Sequence, residues 1–147
     1  MAERPLHRLD EWAGRLLSPT PVRALALLAL TSAYLQGGLT KAMDFAGAVA
    51  EMEHFGLTPA TPLAAAVIVL EIGASAMVLA GIGRWLGALA LAAFTLAATL
   101  LANSFWTMAG PERFAAANAF FEHLGLAGAF VLVAWHDLTL GRDRRTP

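Results

Sequence analysis

The stretch NAFFEHLGLAGAFVLVAWHD, residues 118–137, decides what kind of fold this chain can adopt. Its segment from Leu124 to Trp135 carries no polar side chain. As a helix, however, that segment is only about 18 Å long, at ~1.5 Å per residue. A membrane-spanning helix needs about 20 residues, so a span here has to begin near Ala115. That start places Glu122 and His123 below the membrane surface, where their burial needs a reason.

The rest of the chain shares this apolar character. Of the 147 residues, 58% are hydrophobic and only 14% are charged, and the apolar residues form long blocks rather than short periods. This composition predicts an integral membrane protein. The absence of cysteine excludes disulfides, thiolate metal sites and CxxC redox pairs. The net charge of -1 leaves no basic surface for binding nucleic acid.

Four apolar blocks predict the architecture. Inside a lipid bilayer the backbone has to form helices or a closed barrel, and the alternating pattern of a barrel is absent. The sequence therefore predicts an all-α integral membrane four-helix bundle over residues 22–137, with spans at about 22–40, 63–82, 85–109 and 115–136.

The distribution of basic residues predicts the orientation of the bundle. Only Lys41 and Arg113 fall in the connections after the first and third spans. The other eight lie before the first span, between the second and third, or after the fourth: Arg4, Arg8, Arg15, Arg23, Arg84, Arg142, Arg144 and Arg145. By the positive-inside rule, both termini are predicted to be cytoplasmic.

Three segments outside the spans have their own predictions. Residues 1–21 are predicted to form a cytoplasmic tail with an amphipathic helix at the membrane interface, because Leu6, Leu9 and Leu16 recur at helical spacing. A second amphipathic helix is predicted over 44–55 in the outer loop, either as a lid over the bundle or as a solvated helix without a gating role. Residues 138–147 are predicted to be a basic cytoplasmic tail.

Polar residues within the spans predict an interior site. They recur at intervals of three or four, or share a stripe with small residues, which places them on inward faces. The candidate site residues are Tyr34, Lys41, Glu71, Asn103, Glu122 and His123. No metal site is predicted, because the acidic residues and the histidine of the outer loop are packed too closely on an exposed segment.

Glu71 is predicted to lie near the middle of the bilayer, where an ionised side chain is most costly. An ionised carboxylate there costs several kcal/mol unless it is paired. Glu71 is therefore expected either to be protonated or to meet a cation, Lys41 or a charged His123. The structural alternative is that the polar groups only form hydrogen bonds between helices, which contribute about 0.5–2 kcal/mol each and fix the helix register.

Several motifs in order resemble a known family. They are QGGLTKAMDF at the end of the first span, FGLTPATP, VLEIGASAMVLAGIGRW with Glu71 in mid-helix, NSFW, and FFEHLGLAGAF. This order resembles the DoxX family of small four-helix bacterial membrane proteins, over roughly residues 22–135. The resemblance implies a multi-pass protein of the bacterial inner membrane that associates with oxidoreductase subunits.

The functional prediction combines the interior site with that resemblance. The chain is predicted to be a small membrane subunit or accessory of a quinone-linked oxidoreductase system, with quinone as a non-covalent ligand and no covalently bound cofactor. The alternatives are a non-catalytic membrane anchor or assembly factor and, less favoured, a proton relay or small-molecule carrier. The expected partners are the lipid bilayer and oxidoreductase subunits, not nucleic acid, and a homo-oligomer stays open. Catalytic residues are not predicted.

Overall fold

The computed structural model describes the backbone of residues 4–17 and 20–143, and the side chains of residues 11–17 and 20–139. Helices account for all the regular secondary structure of these residues. They are α1 (Arg4–Leu17), α2 (Thr20–Met43), α3 (Phe45–His54), α4 (Ala60–Ala80), α5 (Arg84–Ala102), a 3₁₀ helix (Phe105–Thr107) and α6 (Gly110–Asp143).

Four of the helices in the described ranges are long and apolar enough to cross a membrane: α2, α4, α5 with the 3₁₀ helix that follows it, and α6. The predicted all-α fold with four membrane spans is confirmed. The predicted cytoplasmic location of both termini stays a prediction, and Arg144 and Arg145 lie outside the described residues.

The four spans pack in sequence order. α4 lies against α2 and α5, and α5 lies against α6. Tyr34 of α2 connects the first span to the last, because its ring meets Phe130 of α6 edge-on at a centroid distance of 5.4 Å. The core along this contact includes Val78, Leu91 and Phe130, all fully buried.

Two glycines allow α4 to approach its neighbours closely. A Cβ atom at Gly87 of α5 would lie 2.7 Å from the carbonyl oxygen of Ala74, and one at Gly38 of α2 would lie 2.8 Å from Cγ1 of Ile72. Both positions are buried. Small residues of this kind let helix backbones pack together in a membrane, so these contacts set the positions of α2 and α5 on α4.

α3 covers one end of the bundle, which we call the outer end because the predicted orientation places it outside the cytoplasm. The Asp44 side chain accepts a hydrogen bond from the Gly47 backbone N–H at 2.9 Å, which caps the first turn of α3. Gly56, with φ of +69°, follows the last turn. Ala48 and Met52 are buried and pack with Ala64 of α4, so the apolar face of this helix points down onto the spans.

α1 precedes the first span and exposes large apolar side chains. Trp12, Leu16 and Leu17 are all more than half exposed in the chain. The helix is therefore suited to lie at a membrane surface, as the sequence predicts. The side chains of Leu6 and Leu9, on which that prediction partly rests, lie outside the described residues.

The outer ends of α5 and α6 differ from the predicted spans. α5 ends at Ala102 rather than continuing to residue 109, and α6 begins at Gly110 rather than at 115. Between them, Phe105 and Trp106 of the 3₁₀ helix pack against Phe120 of α6. With 34 residues, α6 is about 50 Å long, which exceeds the ~30 Å of a bilayer core. Part of α6 therefore extends beyond the membrane.

Candidate functional site

The centre of the candidate site is an ion pair between α2 and α4. Both carboxylate oxygens of Glu71 lie 3.5 Å from Nζ of Lys41. The Glu71 side chain is only 6% exposed and that of Lys41 is 19% exposed, so the pair is shielded on most sides. Lys41 is one of the two cations that the sequence predicts for Glu71.

Helix geometry explains how these two residues meet. Glu71 lies near the middle of α4, whereas Lys41 lies in the last turn of α2. The lysine side chain reaches back along its own helix, since a Cβ atom at Gly37 would lie 3.6 Å from Nζ and 3.5 Å from both Glu71 oxygens. Because residue 37 is a glycine, the backbone of α2 itself borders the ion pair.

Glu51 of α3 adds a second carboxylate to this centre. Its Oε2 lies 3.9 Å from Nζ of Lys41, and its side chain is 45% exposed. The sequence does not predict Glu51 as a site residue. One feature of the sequence could have indicated it: Glu51 is adjacent to Met52, which lies on the apolar face of α3 that packs on the bundle. The result is a row of charges, Glu51, Lys41 and Glu71, leading inward from the outer surface.

Tyr34 lines the same region, but its hydroxyl group is already engaged. Thr95 Oγ1 donates to the backbone carbonyl of Leu91 at 2.6 Å, so the hydroxyl of Tyr34 donates its hydrogen bond to Thr95 Oγ1. Tyr34 thus connects α2 to α5 and forms a wall of the site. It does not present a free donor.

His123 lies in a polar cluster with α5. Its Nδ1 is 3.1 Å from Thr99 Oγ1 and 3.2 Å from the amide nitrogen of Asn103. An amide –NH₂ group only donates, so Nδ1 is assigned as the acceptor and the neutral ring carries its proton on Nε2. This arrangement leaves His123 with a donor on the side of the ring away from Asn103.

Glu122 does not join this site. Its side chain is exposed, as are Asn118 and Gly125 of the stripe that predicted an inward face, so the prediction that Glu122 points into the bundle is wrong. Consecutive residues of a helix point about 100° apart. Because His123 faces α5, its neighbour Glu122 faces away from the interior.

The depth of the Glu122–His123 pair in the membrane stays a prediction. The predicted span begins near Ala115, which places the pair ~10 Å below the outer surface at ~1.5 Å per residue. In the structure His123 contacts Asn103, which caps the outer end of α5. The structure therefore places His123 level with the end of α5, with the exposed Glu122 beside it.

Two adjacent cavities adjoin the ion pair. The polar cavity, about 220 Å³, is lined by Tyr34, Lys41, Glu51, Glu71, Thr95, His123 and neighbouring apolar residues. The apolar cavity, about 390 Å³, lies beneath α3 and is lined mainly by apolar residues, among them Met52, Phe55, Val67, Ala97 and Leu101. Lys41, Glu51, Phe94 and Ala98 line both cavities. Together they suit a molecule with a polar head and an apolar tail.

The polar interior continues below Glu71. Ser75, one turn further along α4, is fully buried, and its Oγ has no hydrogen-bond partner among the side chains that the structure describes. Beyond it, Val78 and Leu91 close the interior. The site thus reaches the middle of the bundle from the outer end and stops there.

Comparison with known protein families gives a match over the first three spans of the chain. The DoxX family model matches residues 24–104, more than half of the chain, which includes the segments carrying Tyr34, Lys41, Glu71 and Asn103. α6, with Glu122 and His123, lies outside the matched range. Neither the curated proteins nor the solved structures gave a match. The chain is a multi-pass membrane protein that belongs to the DoxX family.

Proposed function

We propose that this chain is a small membrane subunit or accessory of a quinone-linked oxidoreductase system, and that its outer site holds a quinone headgroup. The observation that carries the proposal is the adjacency of the polar cavity and the apolar cavity, which share Lys41 and Phe94. A membrane quinone has two matching parts, a ring with carbonyl acceptors and a long apolar tail.

The polar cavity offers what the carbonyl oxygens of a quinone require. Lys41 contributes an ammonium group with three donors, of which the carboxylates of Glu71 and Glu51 do not saturate all. His123 contributes Nε2–H from the facing helix, since its Nδ1 is occupied by Asn103 and Thr99. Donors from α2 and α6 therefore flank the cavity on two sides, as the two carbonyls of a quinone ring need.

The apolar cavity offers a path for the tail. Val67 of α4 and Leu101 of α5 line it within the outer half of the spans, and Met52 and Phe55 cover it from α3. Burying apolar surface contributes about 25 cal/mol per Å². A tail in this cavity would therefore add binding energy that a small polar ligand lacks.

Bound quinone would supply the redox chemistry, taking up two electrons and two protons on reduction to quinol. The electrons would come from a partner oxidoreductase subunit, because the chain has no cysteine and no dinucleotide-binding fingerprint. The protons have a route within the chain. Glu71 and Lys41 can hold them beside the polar cavity, and half-exposed Glu51 connects Lys41 to the outer surface.

A membrane anchor or assembly factor is the alternative with its own structural support. The Tyr34–Thr95 hydrogen bond joins α2 to α5, and the His123–Asn103 hydrogen bond joins α6 to α5. Such bonds specify helix register without any ligand. A transmembrane proton relay or carrier has less support, because the site stops at the buried side chains below Ser75.

Quinone retention in a Glu71→Gln variant tests the proposal against the anchor alternative. The full chain is purified from native membrane in mild detergent, and its co-extracted quinone is quantified per mole of protein. Gln keeps the size of Glu71 but loses the charge that positions Lys41, so we expect quinone retention to fall about tenfold. The melting temperature should stay near that of wild type.

The matched control is Glu122→Gln, the same substitution on an exposed carboxylate of α6. This variant should retain quinone as wild type does. If Glu71→Gln also retains quinone at the wild-type level, the polar cavity does not bind it and the anchor role stands. Oxidoreductase subunits that co-purify with wild type should be retained by Glu71→Gln, because this change is buried between α2 and α4 and leaves the surface of the bundle unchanged.

A further inference from the structure

A third cavity lies at the opposite end of the bundle from the proposed quinone site, between α2 and α6. We call it the inner cleft. Its volume is about 560 Å³, and its walls include Arg23 and Leu27 of α2, Arg84 of α5, and Leu132 and His136 of α6. α2 packs on α4, and α6 packs on α5. Below the contact of Tyr34 with Phe130, the first and last spans therefore leave a space between them.

The rim of the inner cleft carries an excess of positive charge. Arg23 is exposed and has no ion-pair partner among the residues whose side chains are described. Arg84 is partly compensated: its Nη1 lies 3.7 Å from Oδ1 of Asp137, and its Nε donates to the Val78 carbonyl oxygen at 2.8 Å. Two guanidinium groups thus stand against one carboxylate, which leaves charge and N–H donors for an anion.

The walls below this rim are apolar. Leu27 and Val133 face the cleft from opposite helices, and Leu132, 66% exposed, lies at its edge. The cleft is therefore accessible from the side that faces lipid tails. Leu17 lines it from the end of α1, whose exposed Trp12 and Leu16 suit the level of lipid headgroups.

We propose that the inner cleft binds an anionic phospholipid, with the headgroup phosphate at Arg23 and Arg84 and an acyl chain along the apolar wall. The basic rim matches the charge of the phosphate, and the apolar wall distinguishes a lipid from free phosphate. The cleft lies at the end of the bundle predicted to be cytoplasmic. Anionic lipids attract basic groups on that side of a membrane, and basic pockets between spans there bind their headgroups.

Native mass spectrometry of the full chain tests this site without reference to quinone. The detergent-purified protein is titrated with phosphatidylglycerol or with zwitterionic phosphatidylcholine of the same acyl chains, and the affinity for the first bound lipid is measured. We expect phosphatidylglycerol to bind about tenfold more tightly, which corresponds to the contribution of one to two arginines near the headgroup.

Two variants locate the binding. Arg23→Gln removes the uncompensated charge and should weaken phosphatidylglycerol binding about fivefold, with phosphatidylcholine binding unchanged. Ala26→Phe fills the cleft from an exposed lining position without changing charge, and it should weaken both lipids. Arg113→Gln is the control, because it removes an exposed arginine at the other end of the bundle.

Three results would overturn the proposal. The first is equal binding of the two lipids by wild type. The second is a loss in Arg113→Gln as large as that in Arg23→Gln, which would indicate attraction by net charge alone. The third is stabilisation of the protein by inorganic phosphate to the same extent as by phosphatidylglycerol, which would make the cleft a site for a small anion.

Discussion

The inner and outer halves of this bundle are built from the same helices, but α4 and α5 pack closely in one half and leave a cavity in the other. In the inner half, α4 and α5 approach so closely at Gly87 that a Cβ atom there would meet the Ala74 carbonyl oxygen. In the outer half, the same two helices line a cavity of about 390 Å³ beneath α3. One pair of helices therefore supplies both a tight contact and a ligand-sized space.

Side-chain size accounts for much of this difference. Gly87 of α5 meets Ala74 of α4 in the inner half, so the backbones can touch. Further out, the larger side chains of Phe94 and Leu101 of α5 and Val67 of α4 line the space between the two helices. The inner contact of α4 with α5 should therefore stabilise the bundle, whereas the space between the same two helices in the outer half is available to a ligand.

The largest expected effect is on the inner contact. Gly87→Leu forces a side chain against backbone atoms of α4 that cannot move aside easily, so we expect a loss of about 3 kcal/mol of stability. The variant should melt about 10 °C below wild type in detergent. Gly125→Leu is the control: Gly125 is also within a helix, but a Cβ there meets nothing within 4 Å.

The two glycine variants gain the same helix propensity, about 0.8–1 kcal/mol. Any difference between their melting temperatures therefore reports packing alone. Equal melting temperatures for both variants would show that the inner half is not closely packed and would remove the basis of the comparison.

A smaller effect is expected at the ion pair of the outer half. Lys41→Met leaves the Glu71 carboxylate buried without its partner, and we expect a loss of about 1–3 kcal/mol in thermal unfolding experiments. The loss is limited because a carboxyl group can also become neutral by taking up a proton. Replacing both partners, Lys41→Met with Glu71→Leu, should restore stability to within about 1 kcal/mol of wild type.

Glu51→Gln is the control for this ion pair. Its contact with Lys41 is longer, 3.9 Å, and its side chain is nearly half exposed, so its loss should change stability by no more than about 0.5 kcal/mol. If the double variant at positions 41 and 71 is destabilised by the sum of its single changes, the two residues do not interact and the ion pair is not the centre of the site.

The spans and the central glutamate could be predicted from the sequence because each rests on local information. In lipid, an apolar block of about 20 residues forms a helix. A stripe of small residues beside Glu71 gave its inward face, and the cost of a buried carboxylate gave the need for a cation such as Lys41.

Whether Glu51 and Glu122 belong to the site could not be predicted in the same way, because it depends on how the helices are placed. Glu51 reaches Lys41 only because α3 folds back over the bundle after Asp44. Glu122 is excluded because the contact of His123 with Asn103 fixes the rotation of α6 against α5. Small residues beside a carboxylate therefore predicted an inward face correctly on α4 and wrongly on α6.

The most direct test of the central claim, that the site is reached from the outer end, is side-specific cysteine labelling. The chain has no cysteine, so a single one can be placed at Ala98, which lines both outer cavities, or at Ala92, which is 4% exposed in the core. Each variant is treated with a small, charged, membrane-impermeant methanethiosulfonate in right-side-out and inverted vesicles. We expect Ala98→Cys to react rapidly in right-side-out vesicles and slowly in inverted ones, and Ala92→Cys to react slowly in both. Faster labelling of Ala98→Cys in inverted vesicles, or labelling as slow as that of Ala92→Cys in both, would contradict an outward-facing site.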